Sequence, residues 1–551
     1  MTLRRLLALA CTALPLFAFA QQQPDAGRTL REQQPAVPAL PERRAPEIRI
    51  DEPVRPSLKP SATLRVTPRA WRFSGNAAFA SPVLEALVAD RLGRESDFEA
   101  LQAAAERLTR HYRDNGYPVA RAYLPAQDVT AGTIEIAVLE GRFGKVGVVN
   151  RSRLRDEVVR RHLDGLEGQP LTQAQLERRM LLLNDLAGSG EARSAIRAGT
   201  RPGESDLDVA LAESPWATGS LEFDNHGNRF TGQNRVTGEA RLLSLLGLGD
   251  RLEARLTRGF DGLVYGRAAY QLPLGGDGWR LGAALSRTDY RLGRNFAALD
   301  ASGGAESAQA SLSYPLVRSV ALNVYAQAVA ERRTLEDRVN STATVTNKRV
   351  DSAAFGLSGD TTLAGDVTAF SLPLTGGRLD IASPVARATD DVTARSQGGY
   401  QRLNYTLLRL QPVKERTSLF LSLSGQAASK NLDSSEKFSL GGAYGVRGYP
   451  AGEATGDAGH VATAELRHAI PVSIGVVQPF VFVDTGRVTI NRNAFAAGAN
   501  KRGLDSVGLG VTWLRAGDFQ VKATWARRGK EAATSDTDAK SRAWIHLVKY
   551  F

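Results

Sequence analysis

Residues 216–551 consist of strand-length segments joined by connections of two lengths. Sixteen segments have the roughly 9–11 residues, or slightly more, that a tilted membrane strand requires. They are 216–224, 233–245, 250–259, 262–273, 278–290, 304–315, 318–331, 348–360, 365–374, 399–410, 417–426, 459–470, 477–488, 503–514, 518–528 and 542–551. Short turns on one side and long loops on the other are typical of an outer-membrane β-barrel.

The two sets of connections fall on opposite sides of the predicted barrel. Turns after even-numbered segments are short, as in GLG, LGGD and AGD, whereas those after odd-numbered segments are mostly long. The long loops include 291–303, 332–347, 375–398 and 427–458, and Asp261 is the exception. An even number of strands returns the chain to its starting side, so a closed antiparallel barrel is predicted over 214–551. A soluble all-β domain is the alternative, although it gives no reason for the loop lengths to segregate.

The faces and the end of the barrel region agree with this prediction. In segment 518–528, Phe519, Val521 and Trp525 alternate with the polar Gln520 and Lys522. The chain ends on the aromatic Phe551, which fits an assembly signal on a terminal barrel strand.

Residues 1–20 have the three parts of a secretory signal peptide. Arg4 and Arg5 form the positive region, 6–19 is apolar, and 18–20 is an A-x-A cleavage site. The single cysteine, Cys11, lies inside this segment, so the mature chain is predicted to have no disulfide. After the signal peptide, no apolar run reaches the length of a transmembrane helix.

Residues 21–68 are rich in proline, glutamine and arginine. A short polar helix is expected at about 25–34, followed by an extended linker in which repeated prolines forbid regular structure. A disordered tail is the alternative.

Residues 69–142 and 143–213 repeat one β-α-α-β-β pattern of about 70 residues, which indicates an internal duplication. In the first copy, Ser96 and Glu99 form a predicted capping box, and Thr172 and Gln175 form one in the second. Both copies are expected to be small α+β modules that bind a partner strand along a sheet edge.

The net charge and the absence of several motifs argue against other classes of function. The net charge is +12, but the arginines are spread along the chain without a nucleic-acid-binding motif. None of the six histidines has metal-ligand spacing, and neither a G-x-S-x-G motif nor a P-loop occurs. The sequence therefore predicts no enzyme, no metal, no cofactor and no nucleic-acid partner.

A glycine-rich stretch, 441–457, lies within the long loop 427–458 and surrounds Arg447. Alternation along 480–486 places Phe482, Asp484 and Gly486 on the lumen face and Val481 and Val483 on the lipid face. We expect the loop to fold inward so that Arg447 pairs with Asp484. A mobile surface loop is the alternative.

These motifs together resemble a known family. Val446-Arg447-Gly448-Tyr449, the Phe482-Val483-Asp484-Thr485-Gly486 run, two POTRA-like modules and Phe551 resemble a two-partner-secretion transporter of the outer membrane (TpsB type, the FhaC/ShlB family within the BamA-like superfamily). The fold implied is mainly β, a 16-stranded transmembrane barrel behind two periplasmic POTRA-like domains.

The resemblance also implies a function and its partners. The chain would export a TpsA-type adhesin or haemolysin, recognised in the periplasm through its N-terminal secretion domain, without ATP. Outer-membrane lipids and the barrel assembly machinery would be further partners, and helix 25–34 would plug the pore. The alternatives are a BamA-like insertase and a passive porin or adhesin, for which two receptor modules have no evident use.

Overall fold

The computed structural model describes residues 23–33, 45–51, 65–363 and 365–551. The predicted signal peptide and Cys11 lie outside the described residues, as does most of the linker. The described chain begins with helix α1 (Ala26–Glu32) and strand β1 (Glu47–Ile50), which precede two small modules and a barrel. Within the described residues, no helix is both long and apolar enough to cross a membrane.

The first module packs two helices on a small sheet. Its elements are β2 (Arg65–Val66), β3 (Ala70–Ser74), α2 (Ser81–Val88), β4 (Ser96–Asp97), α3 (Phe98–Asp114), β5 (Arg121–Tyr123) and β6 (Thr133–Leu139). The predicted Ser96 cap is wrong, because Ser96 pairs with Val66 in an extended conformation. Asp97 caps α3 instead, and its side chain accepts a bond from the Ala100 amide at 2.9 Å.

The second module repeats this plan with β7 (Arg142–Asn150), α4 (Asp156–Leu163), α5 (Gln173–Asn184), β8 (Ala192–Ala198) and β9 (Glu204–Leu211). Thr172 caps α5 and accepts from the Gln175 amide. Strand β1 extends this sheet by pairing in parallel with β8, so the sheet order is β1-β8-β9-β7. The linker was expected to contain no regular structure, but the four residues of β1 lie between Pro46 and Pro53 and are free to form a strand.

The rest of the chain forms a closed barrel in which every neighbouring pair of strands is antiparallel. Its strands are β10 (Ala217–Asp224), β11 (Arg235–Leu243), β12 (Arg251–Gly259), β13 (Val264–Leu274), β14 (Trp279–Arg291), β15 (Ala301–Arg318), β16 (Leu322–Val339), β17 (Thr344–Leu363), β18 (Asp366–Ile381), β19 (Gly398–Lys414), β20 (Thr417–Ala428), β23 (Ala458–His468), β25 (Val476–Thr489), β26 (Lys501–Arg515), β27 (Phe519–Arg528) and β28 (Ser541–Tyr550). The short β24 (Ile470–Pro471) continues β23. Since β28 pairs with β10, the predicted sixteen-stranded barrel is confirmed.

Five consecutive barrel strands, β15 to β19, are longer than predicted by at least four residues each. The loop expected at 332–347 is mostly strand, with only residues 340–343 between β16 and β17. The loop expected at 375–398 contains the end of β18 and a helix, α6 (Pro384–Val392). Apolar alternation stops where these strands leave the bilayer, but their ladder continues with charged pairs such as Arg332 Nε–Asp351 Oδ1 at 2.6 Å.

Strand β25 has the two faces that its alternation predicts. Val481 and Val483 are each 54% exposed on the outer wall, whereas Phe480, Phe482 and Asp484 are buried inside. Glycines on the neighbouring β26 make room for the two rings, since a Cβ at position 508 would lie 2.4 Å from the Phe482 ring.

Candidate functional site

The inward loop, residues 429–457 between β20 and β23, folds back into the lumen of the barrel. It contains a short 3-10 turn (Ser434–Glu436) and a two-stranded ribbon formed by β21 (Phe438–Ser439) and β22 (Thr455–Gly456). The tip between these strands is tightly folded, because a Cβ on Gly445 would lie 2.0 Å from the Leu440 carbonyl oxygen. The glycines of the tip therefore allow the backbone turn that presents Arg447 to the wall.

Arg447 contacts Asp484 through three hydrogen bonds. Its Nε and Nη2 atoms donate to the two carboxylate oxygens at 3.0 and 2.8 Å, and its backbone amide donates at 3.1 Å. Arg447 is 5% exposed and Asp484 is fully buried. A bidentate guanidinium–carboxylate contact fixes both the distance and the orientation of the loop tip.

Other groups satisfy the donors and acceptors that remain on this pair. Nη1 of Arg447 donates to Glu465 at 2.8 Å, and the guanidinium lies 3.3 Å from the centroid of the Phe482 ring. Trp544 Nε1 donates to the Arg447 carbonyl at 2.8 Å. Asp484 accepts two further bonds, from the hydroxyls of Thr463 and Ser506. The buried charges are thus both paired and hydrogen-bonded, the condition under which a buried ion pair is tolerated.

The remaining predicted motif residues lie around the pair. Val446 and Tyr449 are fully buried in an apolar cluster with Leu440 and Leu504. Gly448 fits against β27, since a Cβ there would lie 2.7 Å from the Arg528 Cα.

The two other predicted positions, Gly486 and Phe551, also have defined neighbours. A Cβ on Gly486 would lie 3.2 Å from Val446, so its small size admits the loop tip. Phe551 exchanges backbone bonds with Gly219 at the barrel seam and exposes its side chain.

Sequence reasoning missed Glu465, Thr463 and Trp544. Thr463, Glu465 and Arg467 alternate along β23, and Thr463 is in register with Asp484. That polar alternation was available in the sequence. The approach of Trp544 depends on how the folded loop meets β28, which local periodicity does not encode.

A second missed contact, at Glu453, holds the base of the inward loop. Glu453 is fully buried and accepts bonds from the backbone amides of Thr534 and Ser535 at 3.0 and 2.8 Å. The hydroxyls of both residues also donate to it, and Arg502 is its ion-pair partner. The inward loop is therefore bound to the loop between β27 and β28 as well as to the wall.

Helix α1 lies inside the barrel beside the inward loop. The Ala26 amide donates to Asp337 at 2.7 Å, and Arg28 Nη2 donates to the Gly452 carbonyl at 2.9 Å. Ala26 and Leu30 pack on an inward-facing apolar cluster that includes Tyr290. Together, α1 and the inward loop fill the lumen at the level of the extracellular ends of the strands.

The second module is fixed to the periplasmic turns of the barrel. Asp185, just after α5, pairs with Arg318 through two bonds of 2.8 and 2.6 Å and lies 3.5 Å from Arg280. In α4 of the same module, burial lowers the pKa of His162, whose Nδ1 lies 2.9 Å from the Val158 carbonyl oxygen. In the described part of the chain, no cluster of His, Cys, Asp or Glu could hold a metal ion.

Comparison with known proteins identifies this arrangement. The family model described as Haemolysin secretion/activation protein ShlB/FhaC/HecB matches residues 203–513, and POTRA domain, ShlB-type, matches residues 66–141. The chain is 28% identical over 468 residues to the heme/hemopexin transporter protein HuxB of Haemophilus influenzae strain 86-028NP. This alignment covers 84% of this chain and 82% of HuxB.

Two solved structures share the fold. CdiB from Escherichia coli has a TM-score of 0.73 at 20% identity, over 90% of this chain and 93% of that chain. BamA from Haemophilus ducreyi lacking POTRA domains 1-3 has a TM-score of 0.50 at 15% identity, over 89% and 100% of the two chains. This protein belongs to the haemolysin secretion/activation protein family ShlB/FhaC/HecB and is a two-partner-secretion transporter of the outer membrane, with its POTRA modules in the periplasm.

Proposed function

We propose that α1 and the inward loop keep the transporter closed at rest, and that a partner exoprotein bound in the periplasm opens it by releasing α1. The observation that carries the proposal is the contact of α1 with inward-facing groups, namely Asp337 on the wall and Gly452 on the loop. A chain crossing the lumen would need the volume that α1 fills. Its removal would open that path without breaking any strand pairing of the barrel.

The partner is a secreted exoprotein of the adhesin or haemolysin type, which the POTRA modules receive through its N-terminal secretion domain. HuxB is described as a heme/hemopexin transporter protein, and membership of the haemolysin secretion/activation family supports export of a protein by this chain. Folding of the exported chain outside the cell supplies the driving force, since the periplasm offers no ATP. Outward residues such as Val481 and Val483 contact membrane lipid, and Phe551 serves the barrel assembly machinery during biogenesis.

Strand β1 links reception of the partner to release of α1. It covers the edge of β8 with only four residues, held by the Glu47–Arg193 pair at 3.0 Å and by partial burial of Ile48. A partner strand that adds to the same edge must displace β1. Eleven residues, 34–44, lie between Gln33, next to α1, and Ala45, shortly before β1, so while β1 is docked this connection spans at most about 43 Å.

The Arg447–Asp484 pair keeps the loop tip against the wall through this change. Breaking one side of such a buried pair costs about 3–5 kcal/mol, and less where water reaches it. Val446, Gly448 and Tyr449 on the loop, with Phe482 and Gly486 on β25, shape the contact around it. The pair therefore acts as a positioning contact, while α1 is the element that moves.

The alternative is an insertase that assembles other barrels, which the shared fold with BamA allows. The experiment is deletion of residues 71–213 in cells that co-express a candidate partner exoprotein. We expect the barrel still to insert but secretion to be lost, since the receptor modules are gone. Secretion that survives the deletion contradicts the receptor role, and loss of other outer-membrane proteins on deletion of the whole gene favours the insertase.

A further inference from the structure

A polar cavity of about 590 Å³ remains in the lumen between α1, the inward loop and the barrel wall. Six arginines and five carboxylates line it. Each carboxylate already has a basic partner, as in the Arg28–Glu32 contact at 3.3 Å and the Arg235–Asp224 contact at 3.0 Å. The cavity therefore holds more cationic donors than acceptors.

Arg31 and Arg255 have donors that the carboxylates of the cavity leave unused. The side chain of Arg31, in α1, makes no hydrogen bond or ion pair with any residue in the described ranges. Arg255, on β12, has a buried Nε without an acceptor, and its Nη1 lies 4.0 Å from Glu239. The Nε of Arg333, a side chain only 3% exposed, lies 3.4 Å from Glu331 but makes no hydrogen bond to it or to any other described residue. Buried guanidinium groups without acceptors are costly, so the cavity favours a negatively charged occupant.

We propose that this cavity binds a divalent oxyanion, phosphate or sulfate, between Arg31 and the wall arginines Arg255 and Arg333. Arginine is suited to this ligand because its planar donor fork matches the oxygens of a tetrahedral anion. A tetrahedral oxyanion offers acceptors to the Arg31 guanidinium and to the unsatisfied Nε atoms of Arg255 and Arg333 without disturbing the existing pairs. One side of the site belongs to α1, so it exists only while α1 is in the lumen.

Binding at such a site stabilises the closed state. This consequence rests on the proposed role of α1 in closing the pore. A ligand that binds only one state shifts the equilibrium by the factor 1 + [L]/Kd. At inorganic phosphate ten times above its dissociation constant, the open probability is therefore expected to fall about tenfold.

The test uses the full mature chain in planar lipid bilayers, titrated with inorganic phosphate at constant ionic strength against chloride. We expect the open probability to fall with phosphate in the wild type and to be independent of phosphate in Arg31→Gln. Isothermal titration calorimetry on the same two proteins measures binding directly, and the heat of binding is expected only for the wild type. Arg110→Gln, an exposed position on α3, is the matched control and retains the response.

Two results separate the site from the closing role of α1. Phosphate binding that is equal in the wild type and in Arg31→Gln overturns the site. If phosphate binding depends on Arg31 but phosphate leaves the conductance unchanged, the anion site is supported and closure of the pore by α1 is contradicted. Deletion of residues 23–33 in chloride alone tests that closure without involving the anion.

Discussion

The tip of the inward loop and helix α1 both occupy the lumen, but they are held there in different ways. Around the tip, the charges of Arg447 and Asp484 are paired and hydrogen-bonded, and Tyr449 is enclosed in an apolar cluster. Helix α1 has seven residues, few polar bonds to its surroundings and one half-buried arginine, Arg31, whose side chain has no acceptor among the described residues. A helix this short is not stable in water by itself, so its contacts decide whether it stays. The comparison indicates a fixed loop and a removable helix.

The largest effect is expected at the fixed contact. Asp484→Ala leaves the Arg447 charge buried beside Glu465 alone and is expected to lower the free energy of unfolding by about 3–5 kcal/mol. Temperature-dependent mobility of the folded barrel in SDS gels measures this loss. Asp505→Ala is the control, because Asp505 is exposed and its side chain bonds only Thr485 among the described residues. Equal unfolding temperatures for the two variants contradict a fixed tip.

A smaller loss is expected at the base of the loop. Glu453→Ala removes the acceptor of Thr534 and Ser535 and the partner of Arg502, which is expected to cost about 1–3 kcal/mol. Hydrogen exchange at the amides of residues 534 and 535 should accelerate, whereas exchange in β25 should not change. Unchanged exchange at both amides shows that the base of the loop is held elsewhere.

Removing the helix should change function more than stability. Deletion of residues 23–33 is expected to raise the resting conductance of the pore while the unfolding temperature stays that of the wild type, because α1 contributes no strand pairing to the barrel. Bilayer recordings and the same gel assay measure the two properties. If the barrel unfolds at a lower temperature after the deletion, the distinction between a removable helix and a fixed loop is contradicted.

A still smaller effect is expected at β1, the strand that we propose keeps α1 in the lumen. Ile48→Pro removes a backbone donor of β1 and its partly buried side chain, so β1 should leave β8 more often. We expect a several-fold tighter complex with the partner's secretion domain, measured by titration calorimetry. Arg49→Ala, whose side chain contacts only Asp51 among the described residues, is the control.

The smallest predicted effect is the response of the second module to pH. Because burial lowers the pKa of His162, protons bind the unfolded state more readily as pH falls below about 6.5. Stability is therefore complete above that pH and decreases below it, by at most about 1.4 kcal/mol per pH unit. Hydrogen exchange of α4, corrected for intrinsic rates, should show this dependence in the wild type and less of it in His162→Gln.

The loop lengths and the alternation of the sequence were sufficient to predict the barrel, and they pointed to two residues of the candidate site. Alternation along β25 assigned Asp484 to the lumen, and the glycine-rich stretch marked Arg447 as the centre of a loop. Glu453 was not predictable, because its partners lie about 80 residues further along in another loop and meet it only after the barrel closes. Strand β1 was missed for a similar reason, since four residues between prolines form a strand only when a preformed sheet edge pairs with them.

Departure of α1 from the lumen while the inward loop stays is tested most directly by crosslinking each of them to a loop of the barrel during secretion. Residues 12–551 contain no cysteine, so Glu32→Cys/Asn228→Cys and Lys437→Cys/Asn491→Cys, at positions in contact, can each be joined by a short bismaleimide. We expect the first crosslink to stop export of the partner and the second to leave it unchanged, with both uncrosslinked proteins active. Export through the first, or a block by the second, contradicts this expectation.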